Sequence, residues 1–149
     1  MRIALYQPDI AGNVGTILRL AACFGVAIDI IEPCGFPFSD RALKRAGMDY
    51  AALAEVRRHA DWAAFREAIP GRLILLSTRG TVTVADAGFQ PEDILLLGSE
   101  SSGAPAEVHE AASEVVRIPL MEGRRSLNVA VAAGIALHEA LRQSGELPR

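Results

Sequence analysis

Two stretches, RLILLS at Arg72 to Ser77 and DILLL at Asp93 to Leu97, limit the possible folds more than any other feature of the chain. A strand with one face in water alternates apolar and polar residues; these runs are apolar at almost every position, so both faces of the strand must be covered. The layered solution is a parallel sheet with helices on either side, and the remaining sequence supplies the parts. RIALY opens the chain as a strand, and QPDIAGNVG then breaks it with Pro, Asp, Gly and Asn. Apolar residues recur at helical spacing from Thr16 to Phe24, Gly25 offers a stop, and VAIDII is a β-branched strand ending at Glu32 and Pro33.

Further along, Ser39 or Asp40 can cap a helix to about Ala46, and a second helix is expected from Asp61 to Ala68. TRGTVTVADAGF reads as a loop with a short turn of structure, Ala104 to Ala112 as a helix, VVRIP as the last strand, MEGRRS as a loop and Leu127 to Arg142 as the terminal helix. The expected fold is therefore α/β, a mostly parallel sheet with helices on both faces. A chain of 149 residues with 50% hydrophobic content suits one domain over 1–149.

Several function classes recede on composition. MRIALYQPD does not read as a secretory signal, and the longest apolar stretch, Leu127 to Leu137, falls short of the roughly 20 residues of a membrane span, so a cytoplasmic protein with no membrane partner is expected. Cys23 and Cys34 form no Cys-x-x-Cys pair and the three histidines are scattered, which predicts no metal site and two buried, reduced thiols. A formal charge of -3 makes the whole molecule no magnet for nucleic acid; any such binding needs a local patch. Arg41, Lys44 and Arg45, then Arg57 and Arg58, then Arg124 and Arg125 are the candidate clusters, although spacing alone favours solvated surface charge.

In a parallel sheet, ligands bind beyond the carboxyl ends of strands, which directs attention to three loops. QPDIAGNVGTILR leads from the first strand into a helix carrying Arg19; its amides can hold an anion and Asn13 can contact a ligand, or the segment is an ordinary turn with Asn13 as a cap. Gly12 and Gly15, with Asp29 and Glu32 beyond them, also imitate part of a dinucleotide-binding fingerprint, but the third glycine is missing. LLLGSESSGAP places Glu100 between Gly98 and Gly103, permitting close backbone approach to a ligand, or simply a flexible turn that starts the next helix. IPLMEGRRSLNVAVAAGI runs from a long loop into a helix of small residues, which suits close packing or is merely an Ala-rich helix.

Taken in order, Asn-x-Gly with a following Arg, Gly-x-Glu-x-x-Gly and Ser-Leu-Asn-Val resemble the three motifs of the knotted SPOUT RNA 2'-O-methyltransferases. IEPCGFPFSDRALKRAGMDY extends the likeness to the branch that modifies the tRNA wobble nucleotide, and the resemblance covers essentially the whole chain. It implies a carboxy-terminal deep trefoil knot, a homodimer, S-adenosylmethionine as cofactor, and cytidine or uridine in the tRNA anticodon stem-loop as target. It also implies cofactor contacts from Leu76, Ser77, Gly98, Gly103, Ile118, Leu120, Ser126, Leu127 and Asn128.

The same resemblance implies catalytic roles for Arg19, Asn13, Glu100 and Asn128. A guanidinium stays protonated in any ordinary setting and is a poor base, so Arg19 is read as clamping the target phosphate, with a base role left open where that phosphate relays the proton, and with Asn13 and Glu100 holding it and the second loop in place. RNA contacts then fall to Arg124, Arg125, Arg41, Lys44 and Arg45. Many relatives carry Ser or Ser-Asn after SLNV where this chain has Ala130 and Val131, so no hydroxyl acts there. Methylation of another RNA position, a nucleotide-cofactor oxidoreductase and a non-catalytic RNA-binding module are the competing readings.

Overall fold

The computed structural model describes residues 1–39, 41 and 54–149. Among them, seven strands, β1 (Arg2–Tyr6), β2 (Ala27–Ile31), β3 (Val56–His59), β4 (Leu73–Leu76), β5 (Val82–Thr83), β6 (Ile94–Leu97) and β7 (Glu114–Arg117), form one sheet in the order β3-β2-β1-β6-β4-β7-β5. Every pair is parallel. The helices are α1 (Ala11–Phe24), α2 (Trp62–Ala68), α3 (Ala106–Ala111) and α4 (Val129–Ser144).

Strand alternation sorts the core into two layers. Ile3, Leu5, Ile28, Ile30, Leu95 and Leu97 point to the face covered by α1 and α4, meeting Ile17, Leu18, Ala133 and Leu137. Ala4, Ile31, Leu73, Leu75 and Leu96 point to the opposite face, under Phe65 of α2 and Val108 of α3. The continuous apolar runs thus have the two-sided cover that they require, and truncating one of these leucines to Ala would cost about 2–5 kcal/mol.

β1 lies centrally. The chain winds outward through β2 to β3, then crosses to β4 on the other side, and β6 later fills the place between β1 and β4. Such a reversal of winding splays the connecting loops apart and leaves a crevice at the carboxyl ends of the strands.

Several expectations are corrected. α1 begins at Ala11 rather than Thr16, because Gly12 and Gly15 lie inside the helix despite their poor propensity. Its N-cap residue, Ile10, makes no side-chain cap, so the capping alternative for Asn13 does not hold. β3 is an edge strand, VRRH, whose exposed arginines conceal any apolar pattern, and the two-residue β5 lies in a segment read as loop. α3 starts after Pro105, and α4 starts at Val129 with Asn128 as its N-cap. Cys23 is exposed and Cys34 half-buried, so neither thiol is sealed in the core. The helix expected from Ser39 or Asp40, together with Lys44 and Arg45, lies outside the described residues.

Candidate active site

The crevice is a cleft of about 480 Å³ at the carboxyl ends of β4, β6 and β7, a size suited to a small organic ligand. Leu76 ends β4 and continues into a wall of Ser77 and Thr78; Leu97 ends β6, and Gly98, Ser99, Glu100, Gly103 and Ala104 follow it; Val116 lies in β7, and Ile118 and Leu120 follow it; Ser126, Leu127, Asn128, Val129 and Ala132 complete the lining, with Ile10, the N-cap of α1, and Asn13 in its first turn. All nine positions that the resemblance implied for cofactor contact are brought together here, along with Asn13, Glu100 and Asn128.

One chain of hydrogen bonds ties the three loops. Glu100 Oε2 accepts from the Asp9 N–H at 2.8 Å and its Oε1 from Asn13 Nδ2 at 3.1 Å. Asn13 Oδ1 then accepts from Asn128 Nδ2 at 3.0 Å, while Asn128 Oδ1 caps α4 by accepting from Ala130 N at 2.8 Å and Val131 N at 3.3 Å. Asn128 therefore does two tasks at once, since the oxygen starts a helix and the amide reaches across to another. On the outer side, Asp9 Oδ2 accepts from Ser101 N at 2.9 Å and Ser101 Oγ at 2.5 Å. The Ser101 hydroxyl, with its backbone N–H second, holds the Asp9 carboxyl below its ordinary value of 3.8.

The β6 loop is shaped by backbone contacts. Ser99 and Gly103 exchange N–H to C=O bonds at 3.1 and 2.9 Å, and Ser99 Oγ lies 2.8 Å from Ser102 Oγ. A Cβ on Gly98 would stand 2.4 Å from the Gly103 carbonyl carbon, so only glycine allows the loop to fold back on itself. Gly103 completes the turn at a φ of +67°, in the left-handed region where glycine is at ease.

Glu100 is the sole charged side chain among the described residues that line the cleft, and its partners are neutral. The rest of the lining is aliphatic side chains, hydroxyls and main chain. No cluster of metal-ligating side chains occurs among the described residues.

Other candidates do not line the cleft. Arg19 is exposed on α1 and absent from the lining; six residues past Asn13, it points about 240° round the helix from it. Arg124 and Arg125 are exposed in the loop immediately before Ser126, and Arg41 is exposed as well. Asp29 is fully buried between Arg2 Nε and His59 Nε2, each at 2.7 Å, and Glu32 pairs with Arg58, so neither acid is open to a ribose as the dinucleotide fingerprint requires. Burial, followed by the charge of Glu32, pushes the Cys34 thiol up to about 11, which leaves it a poor nucleophile. Sequence reasoning missed Ile10, Thr78, Leu97, Ser99, Ala104, Val116, Val129 and Ala132 as wall residues, and the Asp9–Ser101 contact; the Asp in QPD was visible only as a strand breaker.

Residues 1–138 match the family described as the SpoU rRNA Methylase family. A tRNA (cytidine(34)-2'-O)-methyltransferase of Ancylobacter novellus is 51% identical, with all of this chain and 96% of the relative aligned. One from Beijerinckia indica is 53% identical over 99% of this chain and 94% of the relative. A solved structure concerned with the 2-OH methylation of C/U34 on tRNA superposes with a TM-score of 0.90 at 43% identity, covering 95% of this chain and 94% of that one. An AdoMet-bound rRNA methyltransferase from Sinorhizobium meliloti superposes with a TM-score of 0.84 at 31% identity, covering 95% of this chain and 55% of that one.

Proposed function

The chain belongs to the SpoU rRNA methylase family, and on that footing we propose that it transfers a methyl group from S-adenosylmethionine to the ribose 2'-hydroxyl of the wobble nucleotide, cytidine or uridine 34, of tRNA. The observation that carries the reading is the convergence of three distant loops on one cleft, locked by the Glu100–Asn13–Asn128 chain. Full-length relatives at about half identity act on cytidine 34 of tRNA, which favours that target over other RNA positions.

The cleft's donor set fits the cofactor. Aliphatic walls from Leu76, Leu97, Ile118 and Leu127 suit an adenine ring, and the lone carboxylate of Glu100 beside the cleft is held by neutral donors, with no cation paired to it. When bound, S-adenosylmethionine supplies a methyl group activated by a cationic sulfur, which a local negative field welcomes. Leu76, Ser77, Gly98, Gly103, Ile118, Leu120, Ser126, Leu127 and Asn128 are its contacts in this reading.

The protein's contribution is positioning. Glu100 is occupied by two donors and no histidine lines the cleft among the described residues, so the site offers no dedicated general base. Holding a ribose hydroxyl in line with the methyl group can lower the barrier by roughly 7–11 kcal/mol through orientation alone. Asn13, Glu100 and Asn128 fix the loops that define that geometry. Arg19 clamps the target phosphate from the exposed face of α1, and Arg124, Arg125, Arg41, Lys44 and Arg45 contact the anticodon stem-loop.

A homodimer belongs to the same reading. Val131 and Ile135 stand on one stripe of α4, 51% and 41% exposed, and Ile10 and Leu127 are exposed at the helix starts; an apolar face of this kind suits a second copy. The reading also includes a single domain, a carboxy-terminal trefoil knot and a cytoplasmic location, where tRNA resides. No described helix is long and apolar enough to cross a membrane.

The deciding experiment is methyl transfer from labelled S-adenosylmethionine to tRNA from a strain lacking this protein. Wild type labels the nucleotide 34 ribose and Arg19→Ala does not. Label in the base, or elsewhere in the tRNA, overturns the assignment; equal labelling by both proteins removes Arg19 from the mechanism.

A further inference from the structure

The arginines divide by what they touch. Arg2 neutralises buried Asp29, and Arg72 neutralises buried Asp93 and Glu114. Arg57, Arg58 and Arg142 pair with Glu55, Glu32 and Glu139, and Arg66 donates to the carbonyls of Ile69 and Gly71. Arg79, like Arg117, Arg124 and Arg125, makes no such contact: it is exposed, and its guanidinium has no hydrogen bond or ion pair among the described residues.

Its backbone, in contrast, is held firmly. Arg79 lies in the turn after β4, next to Ser77 and Thr78 of the cleft wall. The Arg79 N–H donates to Ser77 Oγ at 3.2 Å, and the Gly80 N–H donates to the Ser77 carbonyl at 3.0 Å. Gly80 is buried directly against β7: a Cβ there would lie 2.5 Å from the Val116 carbonyl carbon and 2.6 Å from the Arg117 nitrogen. The turn is thus seated on the neighbouring strand with no space for a side chain beneath it.

A cation with no partner of its own, carried on a fixed turn at the lip of the cleft, is arranged for an anion that arrives from outside. We propose that Arg79 is a substrate-binding residue that contacts an RNA phosphate and forms, together with Arg124 and Arg125 before the Ser126 wall, a second positive flank of the cleft mouth. This assignment rests on the methyltransferase reading. With a net charge of -3, the chain must draw a polyanion through local patches, and two flanks would set the direction of a strand across the cleft as well as its affinity.

The structure also contains a matched control. Arg117 has no partner among the described residues either, but strand alternation turns it away from the cleft that Val116 and Ile118 line. The test compares wild type with Arg79→Ala, Arg79→Lys and Arg117→Ala, measuring tRNA binding from 50 to 200 mM salt, kcat and KM for methyl transfer, and S-adenosylmethionine binding by calorimetry. Arg79→Ala weakens tRNA binding about tenfold at low salt, the scale of one charge-assisted contact, and lowers the salt slope by about one phosphate. KM for tRNA rises, cofactor affinity is unchanged, Arg79→Lys recovers most of the slope, and Arg117→Ala behaves as wild type.

An Arg79→Ala protein with unaltered tRNA affinity and salt slope overturns the assignment and leaves the proposed activity standing. Equal losses in Arg79→Ala and Arg117→Ala also overturn it, since they would report general charge rather than a flank. Wild type that binds the cofactor but no tRNA overturns the activity itself, and this assignment with it.

Discussion

Two carboxylates in this molecule are each gripped by two donors from distant segments, with opposite results. Asp29, on the central part of β2, is fully buried and holds Arg2 of β1 and His59 of β3, with Phe65 of α2 packed edge-on against the imidazole. Glu100, past the end of β6, is held by a main-chain N–H and the amide of Asn13, and it borders an open cleft. The first carboxylate is placed against a guanidinium and an imidazole inside the fold; the second meets neutral donors and no cation. Grip stabilises in both cases, but only the carboxylate at the strand ends has an electrostatic field left for a ligand.

The largest effect that can break this comparison is on stability. Asp29→Ala leaves buried His59 and partly buried Arg2 without their anion, at a cost of about 3–5 kcal/mol, which lowers Tm by roughly 10 °C in a chain of this size. Glu100→Gln shifts Tm by much less, yet reduces methyl transfer and S-adenosylmethionine affinity at least tenfold. Thermal melts and calorimetry of the two variants decide the matter; comparable melting losses would show that both carboxylates are architectural.

Next in size is Gly98→Ala. The added methyl meets the Gly103 backbone at 2.4 Å, where no side chain can rotate away, so the cost is about 1–3 kcal/mol of strain or a displaced loop. Cofactor binding falls with it, whereas alanine at Gly12, where a Cβ would meet nothing within 4 Å, is tolerated. Wild-type cofactor affinity in Gly98→Ala would mean that the tight turn is dispensable to the cleft.

Legibility followed the same division. The two-sided strands could be read because RLILLS and DILLL leave burial no alternative, and the layered sheet follows from them. β3 could not, because its VRRH sequence buries only His59 and carries its arginines at the sheet edge. The start of α1 was hidden by Gly12 and Gly15, which belong inside the helix here although their intrinsic preference opposes it. At the site, the ordered motifs brought Asn13, Glu100 and Asn128 to notice together, but their bonding pattern is three-dimensional: contacts between residues 87 and 115 positions apart leave no periodic trace. Asp9 and Ser101, 92 positions apart, escaped notice for the same reason. Arg79 left no motif at all, since what distinguishes it is an unpaired guanidinium carried on the turn beside Ser77 and Thr78 of the cleft wall.

A smaller effect tests Asn128, where cap and cross-link coincide. Asn128→Ala removes the helix cap, worth about 1 kcal/mol, and the bond to Asn13. Asn128→Ser can restore the cap alone. If the cross-link orders the site, the Ser variant regains stability but not methyl transfer; recovery of both together would reduce Asn128 to a cap.

The smallest effect lies at the outer end of the chain of bonds, where Asp9 meets Ser101 in solvent. The Ser101 hydroxyl and N–H favour the charged carboxylate, so the folded value lies below the ordinary 3.8. A depressed folded value means that the contact's contribution is fully present above pH 3.8 and is lost as pH falls through the lower folded value. Near neutrality the loop after β6 is therefore held at its tip by Asp9, and the restraint fades only in acid. The protection of the Ser101 amide, measured against the unstructured exchange rate at each pH, should fall only below pH 3.8 in wild type and show no such step in Asp9→Asn. A step at or above pH 3.8 would mean that Ser101 does not hold the carboxylate, and that Glu100, through the Asp9 N–H and Asn13, restrains the loop without help from its tip.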